Sequence, residues 1–468
     1  MFICISPTDK YLNSRKSAEN NLVLAPKKVN QLTVHKLFPI FECANNITMF
    51  KKISLIIIVV TAFYLKSFAS FLLIPMDTEQ KNHLKAYGIA YWTLKNDVEI
   101  SWLLNYRGGS FMLKNIKAIE QECLIRGVTY EVIADAKASA ILQEIANPEV
   151  NMDEVKLEKA PKVAVYSPKN KSPWDDAVTM VLTYAEIPYD VVYDDEVISG
   201  KLPLYDWLHL HHEDFTGQYG KFYAMYRNAA WYQDEQRLSE ATANRLGFKK
   251  VSQLKLAVAQ KIRDFTSGGG FLFAMCSATD SYDIALASEG IDICESMFDG
   301  DGTTPSYTGK IDYSKGFAFT NYTLVTNPME YEFSNIDIKV PRAVQQKNDL
   351  FVLFDFSAKW DPVPSMLCQN HENIIKGFMG QTTAFNKNVI KPGVLIMGDN
   401  KSMNEARYIH GEYGKGTWTF YGGHDPEDYQ HFVGDPQTDL SLHPNSPGYR
   451  LILNNILFPA AKKKKQKT

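Results

Sequence analysis

The segment Gly268-Gly269-Gly270-Phe271-Leu272-Phe273-Ala274-Met275-Cys276-Ser277-Ala278-Thr279-Asp280 constrains this chain more than any other. Glycines end one element, an unbroken apolar run forms the next, and a thiol follows between small residues. A strand apolar on both faces belongs inside a sheet covered by helices on both sides. Ala274 and Ala278 stand two residues either side of Cys276. Small side chains there permit the sharp strand-to-helix turn on which nucleophiles sit, because its strained backbone presses those positions against neighbouring elements. The turn would aim the Ser277 amide at the reacting atom, as holding an oxyanion during acyl transfer requires. Thr279 or Asp280 is placed to cap the following helix, and a helix N-terminus favours the thiolate. The plain alternative is a structural cysteine buried at a strand end.

A second stretch, Tyr413-Gly414-Lys415-Gly416-Thr417-Trp418-Thr419-Phe420-Tyr421-Gly422-Gly423-His424-Asp425, reads as a strand delivering a histidine at a glycine-lined tip. Together the two segments predict Cys276 and His424 facing one another above a parallel sheet.

The front of the chain reads differently. Lys51 and Lys52 precede an apolar run over 53–65, and Ser67-Phe68-Ala69 then sets small residues at cleavage spacing. That order is a secretory signal peptide, placed at 49–69. The run falls short of the about 20 apolar residues that a membrane span needs, so no integral span is expected after cleavage. Met49 sits where an initiator belongs, which makes 1–48 a mis-assigned start or a disordered leader. The expected location is periplasmic or secreted. No cysteine directly follows the apolar run, so a lipid anchor is not expected.

From Ser70 onward the chain is long enough for two domains. A small α+β unit is expected over 70–155, with a helix over 80–94, strands over 99–106 and 110–113 around the turn Arg107-Gly108-Gly109, and helix, strand, helix over 117–146. Polar, mixed-charge sequence over 147–161 marks the boundary. An α/β domain is expected over 160–460, because strands over 162–166, 189–193, 207–211 and 270–274 alternate with helices over 174–185 and 252–265. Later strands near 350–356, 394–398 and 417–421 precede a closing helix over 447–457. Ligands bind at the carboxyl edge of such sheets.

Net charge is −3, and outside the basic tail 461–468 there is no basic stripe, which excludes a nucleic-acid surface. Cys123, Cys276, Cys294 and Cys368 are too sparse and irregular for a disulfide framework.

One further cluster reaches the expected carboxyl edge. His209, His211, His212, Glu213 and Asp214 end a predicted strand, and alternation sends His209, His211 and Glu213 to one face. Zinc and iron sites use such residues, but the spacing matches no diagnostic ligand pattern. These five are therefore taken as substrate-binding candidates, with no metal or other cofactor expected. Phe215, Tyr219, Phe222, Tyr223, Tyr226, Trp231 and Tyr232 follow at once, either as a platform for a sugar ring or as packing for an insertion. Asp299-Gly300-Asp301-Gly302-Thr303 lacks the distant bidentate glutamate of a calcium loop and reads as a turn.

The Cys276 turn and the His424 strand resemble the class I glutamine amidotransferase-like superfamily. The Gly414-Lys415-Gly416 hairpin ending in Gly423-His424 is similar to its trehalose-utilisation-like branch, over about 162–459. The resemblance implies a flavodoxin-like three-layer α/β/α sandwich, Cys276 as nucleophile, His424 as general base and a carboxylate orienting the imidazole. The superfamily places that carboxylate two residues after the histidine. Pro426 stands there, leaving Asp425 and Glu427 on either side. The chain also resembles exported proteins labelled asparagine synthetase B, although it lacks the Ser-Gly-Gly-Leu-Asp-Ser loop of a glutamine-dependent asparagine synthetase. The expected function is a thiol hydrolase or amidase acting on a small-molecule, glycan or amide substrate through an acyl-enzyme; the alternative is a non-catalytic carbohydrate- or ligand-binding protein.

Overall fold

From Ser70 the backbone enters a five-stranded sheet made of β1 (Phe71–Ile74), β2 (Ile100–Leu104), β3 (Ser110–Lys114), β4 (Glu131–Ile133) and β5 (Asp153–Leu157). The structure is a computed structural model describing residues 70–168, 176–338, 346–355, 357, 365–432 and 434–461. The expected leader, signal segment and lysine tail from Lys462, with Trp174 at the start of an expected helix, lie outside those residues. The sheet is antiparallel throughout, in the order β4-β1-β3-β2-β5. Strand β5 lies inside the stretch read as a polar boundary. Only Val155 and Leu157 of that strand are buried, so its period-two signal is faint beside Asp153, Glu154 and Lys156.

Helix Asp135–Ala146 covers one face of this sheet through Ala138, Ile141 and Ile145. Helix His83–Lys95 covers the other and also packs on helices Ala177–Ala185 and Pro447–Leu457 of the main body. The small sheet thus shares an apolar core with the larger one, and the described residues belong to one compact unit.

The larger sheet has ten strands. They are β6 (Val163–Tyr166), β7 (Asp190–Val192), β8 (Trp207–Leu210), β9 (Phe271–Met275), β10 (Leu350–Leu353), β11 (Ile374–Lys376), β12 (Phe385–Asn386), β13 (Leu395–Asn400), β14 (Glu405–Tyr413) and β15 (Gly416–Tyr421). Strands β7-β6-β8-β9-β15 are parallel. Renumbered among themselves they run 2-1-3-4-5, the order of flavodoxin-like doubly wound sheets. Strands β14, β13, β10 and β11 extend this sheet antiparallel, so the fold is α/β with a mixed sheet.

Strand alternation sorts the core. Val163, Val165, Phe273 and Met275 face the layer containing helices His83–Lys95, Ala177–Ala185 and Pro447–Leu457. Ala164, Tyr166, Leu272 and Ala274 face helices Val251–Gly268 and Ser277–Ala287. Both faces of β9 are therefore covered, as its unbroken apolar run requires. Among the described residues, no helix is long and apolar enough to cross a membrane.

Candidate functional site

The parallel order brings three chain segments to one place. His211 follows β8, Cys276 follows the central β9, and His424 follows β15. All three leave the carboxyl edge of the sheet, and Asp176 caps the helix that starts beyond β6.

Cys276 has φ 51° and ψ −140°, a backbone conformation that a side chain rarely adopts. Such strain persists only where the surroundings impose it. Here they do. The Ala278 amide bonds the His211 carbonyl at 3.0 Å, and the Thr279 hydroxyl bonds the Cys276 carbonyl at 2.7 Å. The thiol is buried, and the Gln381 amide donates to its Sγ at 3.3 Å. Burial pushes the thiol up to about 11, while the backbone N–H groups of Gln381, Thr382 and Ser277 pull it down.

Cys276, His212, His424 and His431 line one cavity of about 290 Å³, with Phe222, Tyr226, Tyr331 and Phe432 among its apolar walls. His424 is buried, and neither of its ring nitrogens has a hydrogen-bond partner, so no bond joins it to the thiol. Burial, then the neighbouring imidazoles of His211, His212 and His431, hold His424 well below the usual histidine range.

Neither candidate orienting carboxylate hydrogen-bonds that ring. Asp425 accepts from the Tyr449 hydroxyl at 2.8 Å, the Thr438 hydroxyl at 2.7 Å and the Glu427 amide at 2.9 Å. Glu427 pairs with His443 at 3.0 Å. The chain bends at Pro426 so that both carboxylates serve the fold around the site.

The strand-end cluster divides. His212 lines the cavity, and the His211 ring lies 4.5 Å from that of His424, centroid to centroid. His211 Nδ1 is held by Asp176 Oδ1 at 3.1 Å. His209 is turned back toward the Phe273 carbonyl at 3.2 Å and Asp176 at 3.3 Å. Glu213 accepts the His211 amide at 3.0 Å, and burial raises its carboxyl to about 8. Asp214 accepts the amides of Thr216, Gln218 and Gly220, tying the following loop into a knot. His209, Glu213 and Asp214 are thus scaffold and do not line the cavity. Of the expected one-face grouping, His209 and His211 meet on Asp176 Oδ1, whereas Glu213, beyond the strand end at Leu210, bonds the His211 backbone instead.

The aromatic segment divides as well: Phe215, Tyr219 and Tyr232 are core residues, while Phe222 and Tyr226 reach the cavity. In the turn that resembles a calcium loop, the Lys250 ammonium sits among Asp292, Asp299 and Asp301.

Sequence reasoning did not find Asp176, His431 or the loop 378–383. Asp176 shows the signature of a helix cap and nothing more, and His431 lies in irregular chain. The loop reaches the thiol because it folds over the glycines before His424: a Cβ on Gly380 would meet the His424 amide at 2.8 Å.

Asp280 ties that loop to the helix after Cys276. The Thr382 hydroxyl donates to its Oδ1 at 2.9 Å, while Oδ2 is buried without a partner. Burial raises this carboxyl from its ordinary 3.8 to about 7. A carboxyl raised on folding stabilises the fold fully below its unfolded value and loses that contribution as pH climbs toward the folded one. Asp280→Asn should therefore be more stable than the parent at pH 8 by a few kcal/mol and show a much smaller difference at pH 4. Urea unfolding at both pH values checks this, and an equal difference at the two would contradict it.

No family model and no curated protein matches the chain. Two solved cytoplasmic proteins from Salmonella typhimurium align over 64% of this chain and 100% of their own, at 10% and 12% identity with TM-scores of 0.30 and 0.32. A GH42 β-galactosidase from G. stearothermophilus aligns over 57% of this chain and 28% of its own, at 11% identity with a TM-score of 0.25. Likenesses at these scores assign neither a family nor an activity.

Proposed function

We propose that the cavity is the reaction site of an amidotransferase-like thiol hydrolase for a small amide or ester, with Cys276 as nucleophile. The observation that carries the reading is the Cys276 turn itself. A thiol at φ 51°, approached by the amides of Ser277, Gln381 and Thr382 and lining a cavity, is a strained arrangement that a merely structural cysteine does not need. In acyl transfer the sulfur bonds the substrate carbonyl carbon, the amine or alcohol leaves with the thiol proton, and water then splits the thioester. Backbone N–H groups beside the thiol would receive the charge that develops on the carbonyl oxygen. His424 is the imidazole that would move the proton. It makes no bond to the thiol in the unliganded protein, and catalytic hydrogen bonds often tighten only when substrate is bound.

Specific observations favour a second reading, a non-catalytic ligand- or carbohydrate-binding protein. Burial holds the thiol at about 11, and neither Asp425 nor Glu427 orients His424. Phe222, Tyr226 and Tyr331 would then supply affinity by stacking. Export belongs to either reading, supported by β1 beginning at Phe71 directly after the small residues of the signal pattern. N-terminal sequencing of exported protein, expected to start at Ser70 or Phe71, reads that directly.

The two readings part in pre-steady-state kinetics. A thiol hydrolase mixed with an activated aryl ester should release a burst of phenol stoichiometric with protein, and Cys276→Ala should abolish it. A burst that survives Cys276→Ala, or no burst from the parent, rejects the hydrolase.

A further inference from the structure

Four imidazoles gather near Cys276, and hydrogen bonding leaves ring nitrogens of His211, His424 and His431 unpaired. His211, His212 and His424 each offer one ring nitrogen, and the three atoms lie within 4.8 Å of one another. Ring centroids are 4.5 Å apart for His211 and His424, 5.1 Å for His211 and His212, and 6.2 Å for His212 and His424. His211 and His424 are at least nine-tenths buried. His211 Nε2 has no partner, and neither ring nitrogen of His424 has one. Buried polar atoms are ordinarily satisfied, and leaving three such nitrogens unpaired in one spot is costly.

Their setting is equally specific. Asp176 holds Nδ1 of His211, which fixes the ring and leaves Nε2 free of a partner. On the opposite side Asp428 holds Nδ1 of His431 at 2.8 Å, with Nε2 of His431 unpartnered. The His431 ring stacks on His424 at 4.9 Å and 1°. A carboxylate bonded to the far nitrogen of an imidazole is the usual support behind a metal-ligating histidine.

We infer that His211, His212 and His424 form a binding site for a divalent transition-metal cation of the zinc class, with a further coordination position open to the cavity. Three imidazoles with an open position make a nitrogen-rich site that suits zinc and its first-row neighbours over magnesium or calcium. Metal–nitrogen bonds of about 2.0–2.1 Å in tetrahedral geometry need nitrogens roughly 3.3 Å apart, which side-chain adjustments of about an ångström reach from the present spacing. His431 stands beside the site as a fourth imidazole. The assignment holds whether or not Cys276 is a nucleophile: it gives His211 and His212 a role that acyl transfer does not, and a metal held by His424 would occupy a nitrogen that otherwise could move the thiol proton.

The test uses the full chain, stripped with a chelator and titrated with Zn²⁺, and with Co²⁺ as a spectroscopic probe. The expected result is one saturable site per chain, with the visible absorption of a low-coordinate, nitrogen-ligated cobalt centre. His211→Gln and His424→Gln, each checked for folding by circular dichroism, should remove that site. Asp176→Asn can still accept the amides of the following helix and should weaken binding about 10–100-fold. Cys276→Ala should bind metal as the parent does. Absence of a saturable site in folded parent protein overturns the inference. So does a site that survives both histidine substitutions, an affinity unchanged in Asp176→Asn, or a site lost in Cys276→Ala. Because the aryl-ester burst is read separately, failure of the metal site and failure of the hydrolase reading are distinguishable.

Discussion

Replacing Arg407 by methionine should lower the stability of the protein by about 3–5 kcal/mol, the usual result of removing one partner from a buried ion pair. Arg407 on β14 is almost wholly buried with two carboxylates. Its Nε meets Glu405 at 3.0 Å and one terminal nitrogen meets Asp349 at 2.8 Å. Its other terminal nitrogen donates to the carbonyls of Phe378 at 3.0 Å and Thr383 at 3.2 Å. Those carbonyls bracket the loop whose Gln381 and Thr382 amides approach Cys276, so the guanidinium fastens the site as well as the fold. Methionine matches much of the volume but leaves both carboxylates without their cation. Lysine keeps the charge but lacks the planar fork that reaches all four acceptors. Urea unfolding measures the loss, and hydrogen exchange at Gln381 and Thr382 should lose protection in both variants. A change below about 1 kcal/mol in Arg407→Met would contradict this role.

The second large effect is expected at Gly423, next to His424. Gly423 has φ 102°, outside the range that a residue with a Cβ adopts comfortably, and an added Cβ would meet the Phe378 ring at 2.4 Å and its carbonyl at 2.9 Å. The ring cannot swing away, because Phe378 is fully buried with its edge against Tyr421 at 5.2 Å. Strained backbone and overpacking each cost about 1–3 kcal/mol, so Gly423→Ala should lose roughly 2–5 kcal/mol. It should also displace the histidine that follows. Gly434→Ala is a control, since its left-handed backbone meets open space and it should lose only the conformational share. Equal losses at the two positions would show that crowding against Phe378 is not what matters.

Much of this architecture was legible in the residues. β9 announced a covered sheet through its unbroken apolar run, and the alternation of strand and helix over 162–275 matched the parallel order. Ala274 and Ala278 flanked the turn now seen at Cys276. The antiparallel extension was harder to read. β14 (Glu405–Tyr413) buries Glu405, Arg407 and His410 among apolar neighbours, so neither its composition nor its period advertised a strand. The site was half legible for a related reason. Local alternation could place His211 and His212 near a strand end, but their meeting with His424 depends on which strands flank β9. Asp425 and Glu427 carried the right chemistry in the wrong geometry, because the bend at Pro426 turns them toward Tyr449 and His443.

As the proposed nucleophile, Cys276 should accept an acyl group. Quenching the aryl-ester reaction during the burst and mapping the peptides by mass spectrometry tests it at the atom concerned. The account predicts one acyl adduct, on the peptide carrying Cys276, and none on those carrying Cys123, Cys294 or Cys368. Protein that turns over ester without an adduct at Cys276, or that carries it on another thiol, would contradict the account.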